Sequence, residues 1–311
     1  MRIVELTNEW SKKYESYIQD HAYSMFYYSL KYRNFILSLI PKAKARYLLA
    51  INEKEEMQAI CPLMEFEGKF GKVVNSLPYF GSHGGILANS KEVEEFLMNH
   101  LNQYLNSQDV ASYNIVSNPF LQNNIIPIHN ETDERIGQIT ELPSSIDIFF
   151  KALNDKTRNG IRKAQKESIE IEVDNSNEAF EFLYKTHLEN MNAIGGKPKS
   201  EEYFLNTRKI FEASKDYNLY IAKHEGNKIA GILLFYFKDF VEYFTPVCVD
   251  EFRNFQPTSL IIYKAMEEAI NKNFKYWNWG GTWHEQKTVY DFKKKWLAKD
   301  FIYKYYVNIK N

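Results

Sequence analysis

A basic segment early in the second half of the chain has the residue types and spacing that bind phosphate groups. Residues 151–166 hold six basic side chains and one acidic one, a net charge of +5. Their pattern predicts a helix on which Arg158 and Arg162 stand about one turn apart on one face. Guanidinium groups bind phosphate oxygens through paired hydrogen bonds. The segment therefore predicts a site for a diphosphate, a nucleotide or an RNA backbone, and the competing interpretation is a solvated basic helix face.

A glycine pair followed by a lysine-rich stretch is the second feature that could do chemistry. Gly280 and Gly281 follow a predicted strand, and residues 287–299 carry five lysines and one aspartate. Glycines let backbone N–H groups approach a ligand closely, and a lysine just beyond them, such as Lys293, can stabilise developing negative charge. Twelve aromatic residues lie within 274–306, and such rings can stack nucleotide bases. The competing interpretation is a core strand, a glycine turn and a surface lysine run.

Two glycine-rich loops have a neighbouring histidine, the side chain that titrates nearest to neutral pH. His187 precedes one loop, and His83 lies within the other, at 78–85. The first loop supplies Gly195, Gly196 and Lys197. A histidine without catalytic partners in the sequence is more often structural. The sequence contains no His-Glu-x-x-His zinc pattern, no G-x-S-x-G elbow and no P-loop, so we predict no metal and disfavour hydrolase and nucleotide-hydrolysing functions.

The sequence predicts that alternating helices and strands position these residues. In the second half the predicted order is two strands joined by the hairpin turn His224-Glu225-Gly226-Asn227, a third strand, a helix and a further strand. The ranges are 219–223, 228–236, 241–249, 259–271 and 276–279. The first half has a similar order, so we predict an α/β (α+β) chain with two tandem domains, 1–145 and 146–311. Each domain is a mixed, mostly antiparallel sheet flanked by helices.

Composition excludes several protein classes. The net charge is −1, with 25% charged and 44% hydrophobic residues, which argues against a disordered chain and against bulk nucleic-acid binding. The first 145 residues carry a net −4 and the remainder +3, and the positive charge is concentrated in the two basic segments. Two cysteines, Cys61 and Cys248, exclude a disulfide framework and fit a reducing cytoplasm. The longest apolar run, 229–237, is too short for a membrane span, so we expect a buried strand.

The motifs in the second half resemble those of the FemABX-like transferases, relatives of the GNAT acyltransferases. The run Thr157-Arg158-Asn159-x-Ile161-Arg162-Lys163-Ala164-x-Lys166 is similar to the R-x-x-I-x-K-A signature of that family. Trp279-Gly280-Gly281-Thr282 with Phe292-Lys293-Lys294-Lys295-Trp296 is similar to its C-terminal motifs, and the loops 78–85 and 194–198 and the segment 257–269 also fit. The resemblance implies two tandem GNAT-like domains and N-acyl transfer to an amine.

The resemblance also implies roles for particular residues. Lys293, in the Phe-Lys motif, is expected near the reacting centre. The resemblance supplies no general base. Because a base must take the proton of the attacking amine, the other candidate catalytic residues are Asp291, Tyr243 and His187, with Tyr290 as a further candidate base. The candidate substrate-binding residues are Arg158, Arg162, Gly195, Gly196, Lys197, Trp279, Gly280, Gly281, Thr282, Tyr290, Phe292 and His83. The tetrahedral oxyanion would be stabilised by Lys293 and by a backbone N–H of the strand 241–249.

The sequence leaves two classes of acyl donor open, acyl-CoA and aminoacyl-tRNA. Acyl-CoA users usually cradle pyrophosphate with a glycine-rich loop before a helix. This chain has Arg253-Asn254-Phe255-Gln256-Pro257-Thr258-Ser259-Leu260 at that place, without glycine and with a proline that removes one N–H donor, which disfavours acetyl-CoA and resembles the Fem-type relatives. Its polar members are the candidate cofactor-binding residues Arg253, Gln256, Thr258 and Ser259. The sequence has no room between Ile169 and Leu219 for the helical arm of some Fem enzymes, which disfavours aminoacyl-tRNA. We therefore expect acyl-CoA (acetyl-CoA) as donor, with aminoacyl-tRNA as the alternative.

The acceptor that fits these features is a small phosphate-bearing molecule, such as a nucleotide- or lipid-linked amino sugar. The leading hypothesis is a cytoplasmic N-acyltransferase acting on an amino sugar or on another precursor of the cell envelope or surface polysaccharide. The first alternative is an aminoacyl-tRNA-dependent transferase acting on a peptidoglycan precursor, with tRNA as a partner. The others are a non-catalytic module that binds a glycan or nucleotide-linked sugar, and an RNA-binding protein that uses the two basic segments.

Overall fold

Helices and strands alternate along the chain, and a computed structural model describes residues 1–76, 84–118, 120–121 and 125–310. The described strands are β1 Arg2–Glu5, β2 Lys44–Ala45, β3 Leu48–Ile51, β4 Met57–Cys61, β5 Met64–Gly68, β6 Gly71–Asn75, β7 Leu87–Ala88, β8 Val110–Val116, β9 Glu131–Glu141, β10 Glu170–Val173, β11 Tyr217–His224, β12 Asn227–Phe237, β13 Phe240–Cys248, β14 Tyr276–Thr282 and β15 Lys299–Ile309. The α-helices are α1 Ser11–Asp20, α2 Leu30–Leu39, α3 Lys91–Leu105, α4 Ile146–Ala152, α5 Asp155–Lys166, α6 Asn177–Ala193, α7 Glu201–Ile210, α8 Pro257–Asn271 and α9 Lys287–Lys294. Short 3₁₀ helices span Phe26–Tyr28 and Asp250–Phe255.

The chain divides into two compact units. The first comprises Met1–Gly137 and Phe301–Asn311, and the second comprises Gln138–Asp300. The boundaries fall within β9 and β15, so each of these strands contributes to both units. The domain limits 1–145 and 146–311 remain a prediction about folding units.

The first unit has two sheets. In one, β1, β3, β4 and β7 are neighbours in that order and every pair is antiparallel. In the other, β2, β5, β6, β8 and β15 follow one another, with β6 and β8 parallel. The sequence predicts a single strand over 57–65, but the structure divides it into β4 and β5 around Pro62, which has no N–H to donate to a strand partner. One face of α3 packs on buried residues of these strands.

The second unit holds the motifs of interest. Its strands follow the order β10, β11, β12, β13 and β14, and the end of β9 lies beside β14. The first four strands pair antiparallel and β13 pairs parallel with β14. Helices α5 and α8 pack on one face of the sheet, and α6 and α7 pack on the other. The predicted hairpin turn is confirmed, because Glu225 and Gly226 both have the positive φ that a tight turn between β11 and β12 requires.

The predicted helix over 259–271 is confirmed, and it begins two residues earlier than expected. Pro257 occupies the first turn of α8, where its missing N–H costs no helical hydrogen bond. Gln256 precedes it with φ +62°, a left-handed conformation that turns the chain sharply into the helix. The turn therefore fixes the place where α8 begins relative to the end of β13.

Candidate active site

Strands β13 and β14 run side by side only at their beginnings. Their parallel pairing covers Phe240–Glu242 against Tyr276–Asn278, although the strands continue to Cys248 and Thr282. At the last paired position, the side-chain amide of Asn278 donates to Glu242 Oε2 at 2.7 Å, and both side chains are buried. Beyond this pair the strands part. The separation opens the sheet of the second unit between the C-terminal halves of two neighbouring strands.

A β-bulge in β13 lies just beyond this separation. Tyr243 pairs with Leu234 and Thr245 pairs with Leu233, so Phe244 has no opposite residue on β12. The bulge shifts the alternation of side chains by one residue. As a result Tyr243 and Pro246, three residues apart, both line the same cleft.

The cleft occupies about 370 Å³ and lies beside β13 and the start of α8. We call it the strand cleft. It is lined by Asn190, Tyr243, Pro246, Val247, Cys248, Arg253, Gln256, Pro257, Thr258, Ser259 and Phe292. All four candidate cofactor-binding residues are in this lining, together with Tyr243 and Phe292 from the other predicted groups.

The polar end of the strand cleft lies at the N-terminus of α8. The first turn of a helix carries partial positive charge, although in α8 Pro257 has no N–H and the Ser259 N–H donates to the Gln256 carbonyl at 3.1 Å. Arg253 is exposed there and pairs with Asp250, while the side-chain amide of Gln256 donates to the Arg253 carbonyl at 3.1 Å. Ser259 Oγ lies 3.5 Å from Gln256 Oε1. The arrangement places a guanidinium, hydroxyl groups and a helix N-terminus around one opening, a combination suited to an anionic group.

Asn190 attaches helix α6 to the far end of β13. Its side-chain amide donates to the Cys248 carbonyl at 2.9 Å, and its side-chain oxygen accepts from the Cys248 N–H at 3.0 Å. Burial raises the pKa of the Cys248 thiol, so this group is neutral at physiological pH. Sequence reasoning missed Asn190, because an asparagine within a helix carries no signal of the strand that its side chain contacts.

Lys293 is buried and its amine hydrogen-bonds to the end of β14. Its Nζ lies 2.7 Å from Thr282 Oγ1, 3.1 Å from the Gly281 carbonyl and 3.4 Å from the Gly280 carbonyl. Burial lowers its pKa from 10.5 to about 8. The side chain is 5% exposed and does not line the strand cleft, whereas its neighbour Phe292 does. In this arrangement the amine holds the glycine pair in place.

The glycine pair contains one position that requires glycine. Gly280 has φ +71° and donates its N–H to Asn278 Oδ1 at 2.9 Å, so β14 takes a left-handed conformation two residues before its end. Gly281 does not have a positive φ. Thr282 is fully buried and donates from its hydroxyl to Gln138 Oε1 at 3.0 Å. The substrate-binding roles predicted for these three residues remain predictions.

An aromatic cluster packs against Tyr243 and Phe292, two residues of the cleft lining. Trp279 is 3% exposed, and its ring centroid lies 4.9 Å from that of Tyr243 and 6.1 Å from that of Phe292. Its indole N–H donates to Thr140 Oγ1 at 2.9 Å, and the Thr140 hydroxyl donates to the Trp296 carbonyl at 2.8 Å. Burial raises the pKa of the Tyr243 phenol well above its usual range, so this group is a hydrogen-bond donor at neutral pH.

The remaining candidate catalytic groups lie apart from the cleft lining. Tyr290 donates to Asp300 Oδ2 at 2.7 Å, and this hydrogen bond raises the pKa of the phenol. Asp291 is exposed on α9. His187 is buried, and its Nε2 accepts the backbone N–H of Lys199 at 3.0 Å. Burial and, secondarily, Lys199 lower the pKa of His187 to about 4, so the ring is neutral and its accepting nitrogen is occupied.

The predicted phosphate-binding arginines lie on α5, whose Gly160 faces the Gln256 side chain. Arg158 hydrogen-bonds to the Lys151 carbonyl at 3.0 Å and pairs with Asp155. Arg162 lies over the Phe150 ring, with its guanidinium carbon 5.5 Å from the ring centroid. Neither arginine is in the cleft lining.

The loop between α6 and α7 carries the candidates Gly195, Gly196 and Lys197, of which Gly195 and Lys197 are exposed. Gly195 has φ +65° with open space around it. The predicted residue His83 lies outside the described residues. Across the part of the chain that the structure covers, there is no group of three or more His, Cys, Asp or Glu side chains that could hold a metal ion. Over the same residues, no helix is both long and apolar enough to cross a membrane.

Comparison with known families identifies the class of the second unit. Residues 152–294 match the model of the acetyltransferase (GNAT) domain, so this part of the chain is a GNAT domain. The parting of β13 and β14 and the cleft both lie within the matched segment. The expectation of an acyltransferase is confirmed at this level. A search of curated protein sequences found no significant match.

Solved structures extend the similarity to the whole chain. The crystal structure of FemX has a TM-score of 0.75 with this protein at 13% identity, over 98% of this chain and 97% of FemX. A tandem GNAT protein from the clavulanic acid biosynthesis pathway has a TM-score of 0.55 at 7% identity, over 98% and 97% of the two chains. The C-terminal domain of an Agrobacterium fabrum protein assigned as a lysylphosphatidylglycerol synthetase has a TM-score of 0.59 at 8% identity, over 97% and 92%. The whole chain thus has a fold similar to those of FemX and of a tandem GNAT protein, in agreement with the fold that the sequence motifs predict.

Proposed function

We propose that this protein is an N-acyltransferase that moves an acyl group from acyl-CoA to an amine of an amino sugar or of another precursor of the cell envelope or surface polysaccharide. The observation that carries the proposal is the strand cleft, which follows β13 from Tyr243, the first residue beyond its pairing with β14, to the N-terminus of α8. A narrow acyl-bearing arm fits between parting strands, and the anionic end of CoA fits a helix N-terminus flanked by Arg253.

In the proposed mechanism a neutral amine attacks the thioester carbonyl carbon. The carbon–nitrogen bond forms, the carbonyl oxygen takes negative charge, and collapse of this intermediate breaks the carbon–sulfur bond. Backbone N–H groups beside the bulge at Phe244 are the nearest candidates to stabilise the oxyanion, because a bulge disrupts local strand pairing. Lys293 hydrogen-bonds to the carbonyls of Gly280 and Gly281 and so positions the end of β14.

A second donor class is favoured by the similarity to FemX and to the lysylphosphatidylglycerol synthetase domain, whose name denotes a lysyl group. In that alternative the protein transfers an amino acid from aminoacyl-tRNA to a peptidoglycan precursor. The tRNA's terminal phosphates would then meet the same N-terminus of α8, and the basic face of α5 would contact tRNA or the acceptor.

A donor panel tests both candidates. The purified chain is titrated with CoA and acetyl-CoA by calorimetry, and is then assayed with acetyl-CoA, longer acyl-CoA and charged tRNA against nucleotide-linked amino sugars. Saturable CoA binding with amine-dependent thiol release supports the proposal. Turnover with charged tRNA and none with acyl-CoA supports the alternative. CoA binding without turnover on any amine would replace both with a non-catalytic binding module.

Arg253→Gln provides the residue-level comparison. It should raise the Kd for CoA about tenfold, the low end for a lost charge-assisted hydrogen bond, because the guanidinium is exposed. Lys185→Met removes an exposed cation on α6 that pairs with Glu181 and is the matched control. Equal effects of the two variants on CoA affinity would mean that the donor binds elsewhere.

A further inference from the structure

The basic helix α5 approaches the polar end of the strand cleft at Gly160, near the middle of the helix. A Cβ added at this position would lie 3.5 Å from Gln256 Oε1 and 3.8 Å from Ser259 Oγ, and both of these residues line the cleft. These are ordinary contact distances, so the packing alone does not require glycine. Glycine in a helix interior is less favourable than alanine. The open side that Gly160 leaves beside the cleft therefore calls for another explanation.

The end of α5 is attached to the 3₁₀ helix that precedes α8. The carbonyl of Glu167, the residue that follows α5, hydrogen-bonds to Nδ1 of His224 at 3.0 Å. The His224 ring packs edge-on against Phe255 of the 3₁₀ helix, with 5.2 Å between the ring centroids. Gly160, Lys163 and Glu167 are at positions i, i+3 and i+7, so they share one face of the helix. Lys163 therefore lies between the two points that hold α5 against the segment before α8.

The cation at Lys163 is available to a ligand, unlike those of the two arginines on the same helix. Lys163 is exposed, and within the described part of the chain its amine forms no ion pair or hydrogen bond. Arg158 pairs with Asp155, and Arg162 lies over an aromatic ring. Arg253, on the neighbouring 3₁₀ helix, is exposed and pairs with a carboxylate that is itself exposed, a pair that solvent screens. Two exposed positive charges thus flank the polar end of the strand cleft.

We propose that Lys163 binds the 3′-phosphate of the CoA donor, so that the donor site continues from the strand cleft across Gly160 onto α5. This role rests on the proposed function. One ribose ring separates the diphosphate of CoA from its 3′-phosphate. On the protein, Lys163 is about 5 Å along the helix axis from the glycine that faces Ser259. With the diphosphate beside Arg253 and the start of α8, the next phosphate of the donor reaches α5, and the missing side chain at Gly160 leaves room for the ribose.

Calorimetry with two ligands isolates this contact. 3′-Dephospho-CoA keeps the arm, the diphosphate and the adenine of CoA and lacks the 3′-phosphate. Wild type should bind CoA about tenfold more tightly than dephospho-CoA, the low end for a charge-assisted hydrogen bond. Lys163→Gln should bind the two ligands equally within about twofold, because it loses affinity for CoA alone. Lys209→Gln, an exposed lysine of α7 on the other face of the sheet, is the matched control and should keep the tenfold preference.

Gly160→Ala tests the path of the donor separately from the integrity of the fold. Alanine favours the helix, so this variant should melt at a higher temperature than wild type. The added methyl group fills the open side of α5 beside Gln256 and Ser259. The Kd for CoA should therefore rise at least about fivefold, the low end for one methyl group too many in a packed contact. Weaker binding by a more stable protein cannot come from a damaged fold, and an unchanged Kd would overturn the path across Gly160.

The remaining outcomes distinguish the 3′-phosphate site from the function. An equal preference for CoA in wild type and in Lys163→Gln would overturn the role of Lys163 and leave the strand cleft as the site of the arm. Equal affinity of wild type for CoA and dephospho-CoA would do the same. A loss by the same factor for both ligands in Lys163→Gln would place the lysine at another part of the donor and would also overturn the proposal. No binding of CoA by wild type would overturn the proposed function and the 3′-phosphate site together.

Discussion

Replacement of Lys293 by methionine should change the way in which stability depends on pH. Methionine keeps most of the side-chain volume but removes the amine that donates to the end of β14. Burial lowers the pKa of this amine from 10.5 in the unfolded chain to about 8 in the folded protein. Between these two pH values the unfolded chain therefore binds a proton that the folded chain has already released.

The direction and size of the effect follow from proton linkage. Stability rises with pH wherever the unfolded state binds more protons, so wild type gains free energy of unfolding from Lys293 as pH increases from about 8 to 10.5. Between pH 7 and pH 10 this gain amounts to about 2.5 kcal/mol for a shift of that size. Lys293→Met lacks the gain, and it should fall behind wild type by that amount between the two pH values.

Urea unfolding followed by tryptophan fluorescence, at pH 7 and at pH 10, measures the difference between wild type and variant. Taking this difference cancels the titration of tyrosines and other lysines that both proteins share. Lys294→Met, an exposed lysine of the same helix that pairs with Asp300, should show no comparable trend. If the difference in free energy of unfolding between wild type and variant stays constant within about 0.5 kcal/mol, the lowered pKa of Lys293 is refuted, since each pKa unit is worth about 1.4 kcal/mol.

Three further predictions concern the same unit. Lys293→Met should also lower kcat/KM by about 10²-fold or more if the end of β14 positions the reacting groups, and turnover equal to that of Lys294→Met would remove Lys293 from the site. Gly280→Ala should cost about 1 kcal/mol in unfolding experiments, because its φ of +71° is strained for alanine although the added Cβ meets nothing within 4 Å; Gly281→Ala is the control and should cost less. Asn190→Ala should lower the free energy of unfolding by about 2 kcal/mol, since the backbone of Cys248 loses both partners; exposed Asn192→Ala should be near neutral, and equal melting temperatures for these two variants would contradict the role of Asn190.

The elements that sequence predicts well are those whose causes are local. The turn after β11 was predictable because Gly226, which adopts positive φ without strain, lies in a short polar segment between two apolar strands. Helix α8 was predictable from its apolar spacing, with Pro257 at its start. In the cleft lining, Arg253, Gln256, Thr258 and Ser259 were all candidates, because the resemblance to the GNAT acyltransferases matches this segment with the loop that cradles pyrophosphate before a helix.

The features that sequence reasoning missed depend on long-range register. The bulge at Phe244 arises from how β13 pairs with β12, and Pro246 indicates an irregular strand without showing which residue is left unpaired. The parting of β13 and β14 likewise follows from where a parallel pairing stops. Lys199 was missed because a lysine after a proline in a glycine-rich loop is normally exposed, and its burial depends on rings contributed by α7 and β13.

The two lysines of this unit argue for different roles through the groups that surround them. Lys293 donates to two main-chain carbonyls and a buried threonine, so its amine holds the end of β14. Lys199 donates to the hydroxyl of Thr245 beside the bulge and lies near the rings of Tyr203 and Phe244. The first amine therefore stabilises the glycine pair, and the second attaches the loop between α6 and α7 to β13.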